Sequence, residues 1–379
     1  MEEFEIDIVE TKCHTNGAKI KAIGVGGGGG NMINHMIQEG IHSIDLIVAN
    51  TDAQALDSSL APYKMQLGMN ATRGLGAGMV PDKGREAALE SFDDIKEMLE
   101  GADIVFISAG LGGGTGTGAA PIIAQAAKEV GALTVSIVTS PFKFEGRKRT
   151  KLAREGLDEL KRESDSIIVV PNEKLLSIVE KNLGIKESFR MVDDILAQAV
   201  GGISKVILSH GENDINLDFA DLKTVMCHRG MALMGVGEYQ GENAAYEAIK
   251  AAIESPLLDN MSINGAMGVL VHFHMHPEFP MMEMSEAMDI VHESADSDAD
   301  VIFGTTTDEN MPLDAIRITL VATGFEKDLN QGVNNDAFVS ETPVQVQTTM
   351  HAQRPKMVVG GDLSDDYLDV PTYMRQQKD

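Results

Sequence analysis

The stretch Gly110–Pro121 reads GLGGGTGTGAAP, with six glycines among its first nine residues. Glycine loses more backbone freedom on ordering than any other residue, and such a run gives up nearly all side-chain packing. It belongs where something must come close to the backbone: a dinucleotide, a nucleoside triphosphate or another polypeptide. The apolar run Asp103–Ala109 (DIVFISA) precedes it and AAPIIAQAAKEVGA follows. The order is strand, glycine loop, helix, with Pro121 suited to the first helical turn and Gly131 to the C-terminal cap.

The same order occurs earlier. AKIKAIGVG from Ala18 is a strand, GVGGGGGN (Gly24–Asn31) a loop, and NMINHMIQEG a helix closed by Gly40. IDLIVAN, LTVSIVTSPF and DSIIVVPN read as further strands of the fully buried type. Strands alternating with helices predict an α/β fold built on a doubly wound, Rossmann-like parallel sheet. From Lys186 to Ser209, Phe189, Val192, Leu196, Ala199, Ile203 and Val206 recur at three- and four-residue spacing. They form one face of a helix about 36 Å long, able to bridge two domains. Gly201 and Gly202 inside it imply close packing. Beyond it, AMGVLVHFHMH, ADVIFGTTT and IRITLVATG are strands, with helices near Glu242–Ser255 and Met284–Glu293, a smaller second α/β domain. After Gly324 the periodicity stops. The expected organisation is an N-terminal extension 1–17, a nucleotide domain 18–182, a central helix 183–210, a second domain 211–325, a flexible linker 326–364 and a recognition peptide 365–379.

The 379 residues carry 31 Lys and Arg against 58 Asp and Glu, a net charge of −27. A surface this acidic disfavours nucleic acid and anionic lipid as direct partners. Trp is absent and aromatics make up 4%, which is poor material for base stacking. Cys13 and Cys227 match no metal spacing and suit a reducing, cytoplasmic setting. The acidic N-terminus lacks signal-peptide character, and no window has the length of a membrane span.

Gly24, Gly26 and Gly29 satisfy a dinucleotide-binding pattern, but glycine is so dense here that the match is nearly forced. The acidic residue expected about 20 positions on is replaced by Asn50 and Asp52 in VANTD. A dinucleotide site also uses one such loop, and here there are two. Two loops that enter helices from strand ends aim backbone N–H groups at one crevice, which fits a longer phosphate chain. GLGAG at Gly74–Gly78 offers a third turn, and Lys143 and Arg149 offer cations at the rim. No P-loop lysine motif is present, so backbone dipoles would hold the phosphates and Mg²⁺ would supply countercharge.

GGGTGTG at Gly112–Gly118 is similar to the signature loop of the tubulin and FtsZ superfamily. In the same order as that family's bacterial members come GVGGGGGN, NTDAQAL, GLGAG, FEGRKR, VPNEKLL, DFADLKTVM and the terminal YLDVPTYMR. The resemblance runs from about Ile20 to Gly324 and resumes in the last dozen residues. It implies a tubulin-like, filament-forming GTPase of the cell-division ring at mid-cell, binding GTP and GDP with Mg²⁺. Gly27, Gly28, Gly29, Gly30 and Asn31, with Gly114, Thr115 and Gly116, would cradle the phosphates. Glu145 and Arg149 would contact the ribose and phosphate side. Phe189 would stack on guanine and Asp193 would accept from its N1–H and amino group, a pairing adenine cannot offer.

No general base stands beside the glycine loops. The resemblance assigns that work to Asn216, Asp218 and Asp221 of NLDFAD, reaching the nucleotide of the next subunit. Asp218 and Asp221 also read as a simple helix cap. The terminal peptide resembles the segment that docks on membrane tethers and division regulators. His272, His274 and His276 alternate, which puts them on one strand face; a polar face is the simpler reading than a metal site. An NAD-dependent oxidoreductase and a nucleotide-gated scaffold without hydrolysis are the other readings.

Overall fold

The computed structural model describes residues 18–41, 43–174, 184–208, 218–228, 230–255, 258, 263 and 265–325, all within the compact unit Met1–Phe338. The expected extension 1–17, Asn216, the linker and the terminal peptide lie outside them.

β1 (Ile20–Val25), β2 (Asp45–Asn50), β3 (Tyr63–Gln66), β4 (Ile104–Gly110), β5 (Leu133–Ser140) and β6 (Ser166–Pro171) pair in parallel in the order β3-β2-β1-β4-β5-β6. This is the doubly wound arrangement that the alternation predicts. The inner strands are continuous apolar runs because both faces are covered. Ala22, Phe106 and Ile137 point into one core, while Ile23, Val105 and Val138 point into the other.

Strand order reverses at β1, so the connections from β1 and β4 leave on opposite faces. α1 (Gly26–Gln38) buries Met32, Ile33 and Met36 in the first core. After α2 (Ala53–Asp57), α3 (Met69–Thr72), α4 (Pro81–Glu90) and α5 (Phe92–Leu99) comes α6 (Thr115–Glu129), which buries Ala119, Ala120 and Ile123 in the second. α7 (Arg147–Glu163) joins α6 on that face. The long helix is α8 (Ile185–Leu208), packed by Val192, Leu196, Ala199 and Ile203 on the α1 side.

Two local expectations change. The first glycine run is not a loop: α1 starts at Gly26, so Gly26–Gly30 form its opening turn. Pro121 does not open α6 but sits inside it, where it forfeits a backbone hydrogen bond to Thr117. The helix starts earlier because Gly118 N–H already donates to Gly114 O (3.0 Å). Gly131 follows α6 with φ +85°, as its cap position requires.

The C-terminal part contains α9 (Phe219–Met226), β7 (Gly230–Gln240), α10 (Ala244–Ile253), β8 (Gly268–Met275), α11 (Met281–Ser294), β9 (Asp300–Thr307) and β10 (Ala315–Thr323). Its strands run in the order β7-β10-β8-β9, antiparallel except for β8 with β9. Sequence reading missed β7 because Gly235 and Gly237 look like breaks. They are contact points: an ideal Cβ there would lie 2.0 Å from Ala252 O and 1.9 Å from Ala248 O of α10. Three residues of β6 pair in parallel with β7, so ten strands form one sheet.

Candidate nucleotide site

The N-termini of α1 and α6 meet across the carboxyl end of β4. Neither helix has a side-chain cap or an acidic residue in its first turn. Their leading N–H groups therefore lack side-chain partners, and both dipoles aim positive ends at the same crevice. That is an anion site made of backbone. Thr115 Oγ1 lies 2.7 Å from Thr51 Oγ1 at the end of β2, and Gly112 N–H donates to Thr117 Oγ1 (2.8 Å), which fixes the start of α6.

The crevice has a volume of about 360 Å³. Of the residues proposed from sequence, Gly27, Gly28, Asn31, Gly114, Thr115, Gly116, Glu145, Arg149 and Asp193 line it together. Gly78 lines it too, so the GLGAG turn does join the two helix starts. Gly29 and Gly30 do not. They are buried beneath, and a Cβ on Gly29 would stand 2.3 Å from Ser108 O. Lys143 is also absent from the lining; its side chain is 74% exposed and pairs with Glu173 at 3.7 Å. Asp52, at the place where a dinucleotide fold has its ribose acid, caps α2 by accepting from Gln54 N–H (2.9 Å).

Glu145 is held twice. One carboxylate oxygen accepts from Phe142 N–H (2.9 Å), and the other is ion-paired with Arg149. The short turn Lys143–Glu145 after β5 thus sets both side chains at the cleft wall. Asp193 and Leu196 come from α8, which forms the opposite wall. Burial raises the Asp193 carboxyl to about 7, with Asp194 adding to the shift. Asp194 in turn pairs with the buried ring of His35, tying α8 to α1. Phe189 sits one turn earlier on α8, with its ring outside the described residues.

Sequence reading overlooked Asn172. It follows β6, lines the cleft, is 5% exposed, and its Oδ1 accepts no hydrogen bond from a described residue. Leaving a buried carbonyl unmatched costs about 1–3 kcal/mol, so a ligand donor such as a sugar hydroxyl is well placed here. The signal was available: an Asn directly after a buried parallel strand, on the edge where ligands bind.

Asp218 accepts from Ala220 N–H (3.3 Å) and so acts as the cap of α9, as the simpler reading had it. Asp218 and Asp221 are exposed, and neither lines the cleft. His272 and His274 stack on one face of β8 (6.5 Å), whereas His276 Nδ1 accepts from Glu278 N–H (3.1 Å) beyond the strand. Among the described residues no group of three or more His, Cys, Asp or Glu could hold a metal.

Fold and crevice together define a tubulin-like GTPase. The family model for the Tubulin/FtsZ GTPase domain matches residues 19–180, and that for the FtsZ C-terminal domain matches residues 230–326. The chain belongs to the FtsZ family. It is 48% identical to the cell division protein FtsZ of Helicobacter pylori (strain ATCC 700392 / 26695), over 96% of this chain and 93% of that protein. Its identity to the Pseudomonas aeruginosa protein of the same name is 46%, over 96% of this chain and 97% of that one. Among solved structures, an empty FtsZ dimer from M. jannaschii superposes with a TM-score of 0.77 at 45% identity, covering 82% of this chain and 89% of that one. CetZ2 of Haloferax volcanii, in a GTPγS-bound protofilament, shares the fold at 21% identity with a TM-score of 0.68, covering 82% and 94%. Family membership removes the oxidoreductase reading.

Proposed function

We propose that this chain polymerises head-to-tail into filaments of the cell-division ring, and that each nucleotide is hydrolysed with Asp218 and Asp221 supplied by the next subunit. One observation carries the reading. The only carboxylates among the described lining residues are Glu145 and Asp193. Glu145 is occupied by Arg149 and a backbone N–H, and Asp193 is on the α8 wall. Among the described residues no free acid lines the phosphate end to orient water, while Asp218, which caps α9, and Asp221 in its first turn are both exposed and away from this chain's own cleft. A contact between these two unlike surfaces is heterologous and does not close, so it propagates a filament.

Exposed apolar side chains support such a contact. Leu75 (84% exposed) shares the GLGAG turn with cleft-lining Gly78, and Phe144 (69%) precedes Glu145. GTP that favours the assembled state is then linked to polymerisation by mass action. Backbone N–H donors do not ligate a cation, so a Mg²⁺ ion accompanying the nucleotide would take its protein oxygen ligands from Asp218 and Asp221 of the next subunit. When bound, Mg²⁺ neutralises charge on the transferred phosphoryl group. Asn216, which shares the NLDFAD segment, is assigned with the two acids. The terminal segment 365–379 is read as the docking peptide for membrane-tethering and regulatory division proteins. Among the described residues no helix is long and apolar enough to cross a membrane.

The test is GTP turnover per subunit against protein concentration, with light scattering alongside. Specific activity should rise steeply at the scattering onset. A flat specific activity from far below to far above that onset excludes completion by a neighbour. Filaments without phosphate release would instead identify a nucleotide-gated scaffold.

In this reading Asp193 recognises guanine as a carboxylate, and its elevated pKa makes binding pH-dependent. Guanine's two donors stabilise the ionised form, so binding below pH 7 must release a proton. GDP affinity should fall as pH drops from 8 to 6, approaching tenfold per unit below pH 7. Asp193→Asn should remove that component, leaving only the titration of the nucleotide itself. Calorimetry on both proteins measures the difference; identical slopes would refute the assignment. The same linkage acts on stability. The folded pKa exceeds the unfolded one, so the buried carboxylate destabilises the fold above about pH 7, and the penalty fades towards the ordinary carboxylate range.

A further inference from the structure

The C-terminal end of α9 rests in a socket made by one row of the C-terminal sheet. Thr323 of β10 stands in register with Gly268 of β8, and Gly268 with Asp300 of β9. Residues paired across neighbouring strands share a face of the sheet. Two residues further along the same face, Val321 and Leu270 join Leu222, Val225 and Met226 of α9 in the first core. All three members of the row Thr323–Gly268–Asp300 meet the end of α9. Thr323 Oγ1 donates to Val225 O (2.7 Å). Gly268 supplies clearance, since a Cβ there would stand 2.9 Å from Val225 Cγ1 and 3.1 Å from His228 Cδ2. Asp300 Oδ2 lies 3.2 Å from His228 Nε2, just past the helix.

Burial alone does not fix the aim of this helix. Leu222, Val225 and Met226 are buried, but apolar burial is non-directional and tolerates sliding and tilting of a short helix. A hydrogen bond to one carbonyl of the last turn is directional, so it sets the helix along and about its axis. The group that makes it is itself held. Thr323 is 0% exposed, its Oγ1 is also 3.3 Å from Gly268 O, and its own carbonyl accepts from Met267 N–H (2.9 Å). The lever is short but sufficient. α9 has eight residues and is about 12 Å long, so a tilt of about 10° at the Val225 end moves its first turn by roughly 2 Å. A misplacement of about 1 Å at a reacting group can cost on the order of 100-fold in rate.

We infer that Thr323 is a positioning residue for hydrolysis: through Val225 it aims Asp218 and Asp221 at the nucleotide of the next subunit, and Gly268 and Asp300 complete the socket. The inference rests on the role proposed above for those two acids. Thr323 does not line this chain's own nucleotide cleft, and it reaches the acids only through the body of α9. Its loss should therefore appear in turnover and leave nucleotide affinity unchanged. The defect should also fall on the neighbour's nucleotide, because that is what the helix faces.

The experiment uses full-length Asp221→Ala polymer at saturating GTP, doped with a minor fraction of labelled wild type, Thr323→Val or Thr323→Ser. GTP turnover and the pelleted share of the dopant are measured together. A dopant's own nucleotide then faces an Asp221→Ala neighbour, so the turnover it restores reports its own α9. Thr323→Val, which keeps the shape and removes the hydroxyl, should restore at least about tenfold less than wild type at equal incorporation and equal GDP affinity. Thr323→Ser, which keeps the hydroxyl, should restore close to the wild-type amount. Restoration by Thr323→Val equal to that by wild type, or by Thr323→Ser no better than by Thr323→Val, overturns the positioning role. A Thr323→Val dopant that stays out of the pellet also overturns it, by marking Thr323 as a folding residue. Undoped Asp221→Ala polymer as active as wild type would instead refute the role of the acids, and the inference falls with it.

Discussion

Asp221→Ala should bind GTP with wild-type affinity and hydrolyse it at least about 100-fold more slowly, the scale of losing a group that stabilises a phosphoryl-transfer transition state. The side chain is exposed in the first turn of α9 and does not line this chain's own nucleotide cleft. Removing it therefore leaves the binding cleft intact. It also leaves the helix cap intact, because the cap is Asp218, through Ala220 N–H. Asp218→Ala is the less clean variant, since it also forfeits a cap of about 1 kcal/mol. Mixing supplies the sharper readout. If the acid acts on the neighbour's nucleotide, Asp221→Ala subunits co-assembled with wild type should depress turnover at wild-type sites. Lost GTP binding, or turnover that adds up independently in mixtures, would falsify the assignment.

Two glycines two residues apart should respond in opposite ways. Gly29→Ala should cripple folding, whereas Gly27→Ala should fold normally and lose at least about tenfold in nucleotide affinity. A Cβ on Gly29 meets Ser108 O at 2.3 Å and Gly24 Cα at 3.0 Å, all backbone, which cannot rotate aside. Overpacking of this kind costs about 3 kcal/mol or more. Gly27 has nothing within 4 Å of its would-be Cβ and is exposed at the cleft. An alanine there meets only what the cleft binds. Thermal melts and GDP titrations of the two variants read the contrast. Equal loss of stability in both would remove Gly27 from the cradle.

That contrast revises the meaning of the glycine-rich stretches. From sequence, each glycine looks like clearance for a phosphate chain. In the fold most of them clear space for protein. A Cβ on Gly114 would stand 2.5 Å from Gly78 O, one on Gly116 2.5 Å from Gly110 O, and one on Gly118 2.0 Å from Pro81 O. Among the glycines lining the cleft, Gly27, Gly78 and Gly113 have open space above them, and of these Gly78 is held at φ +59°. The dense glycine lets two helix starts, a turn and a strand end converge, and the convergence makes the anion site. The pattern is legible in the chain, but the identity of each glycine's neighbour is not.

The alternation of buried strands and amphipathic helices was sufficient for the doubly wound sheet, because burial on both faces forces continuous apolar runs that no other architecture explains as simply. The spacing of Val192, Leu196, Ala199 and Ile203 was likewise sufficient for α8. Motif order carried the family. These are local or periodic properties, and a chain displays them without folding. What needed the tertiary structure was whatever depends on contacts between distant segments. The strand β7 was hidden because its glycines answer to α10 rather than to a turn. Asn172 looked ordinary until its buried carbonyl was found facing the cleft without a partner. Lys143, a plausible phosphate ligand by position, is drawn off to Glu173. The raised pKa of Asp193 exists only once α8 is packed as the wall of the cleft. Desolvation and through-space charge act over distances in the fold, and sequence separation does not encode them.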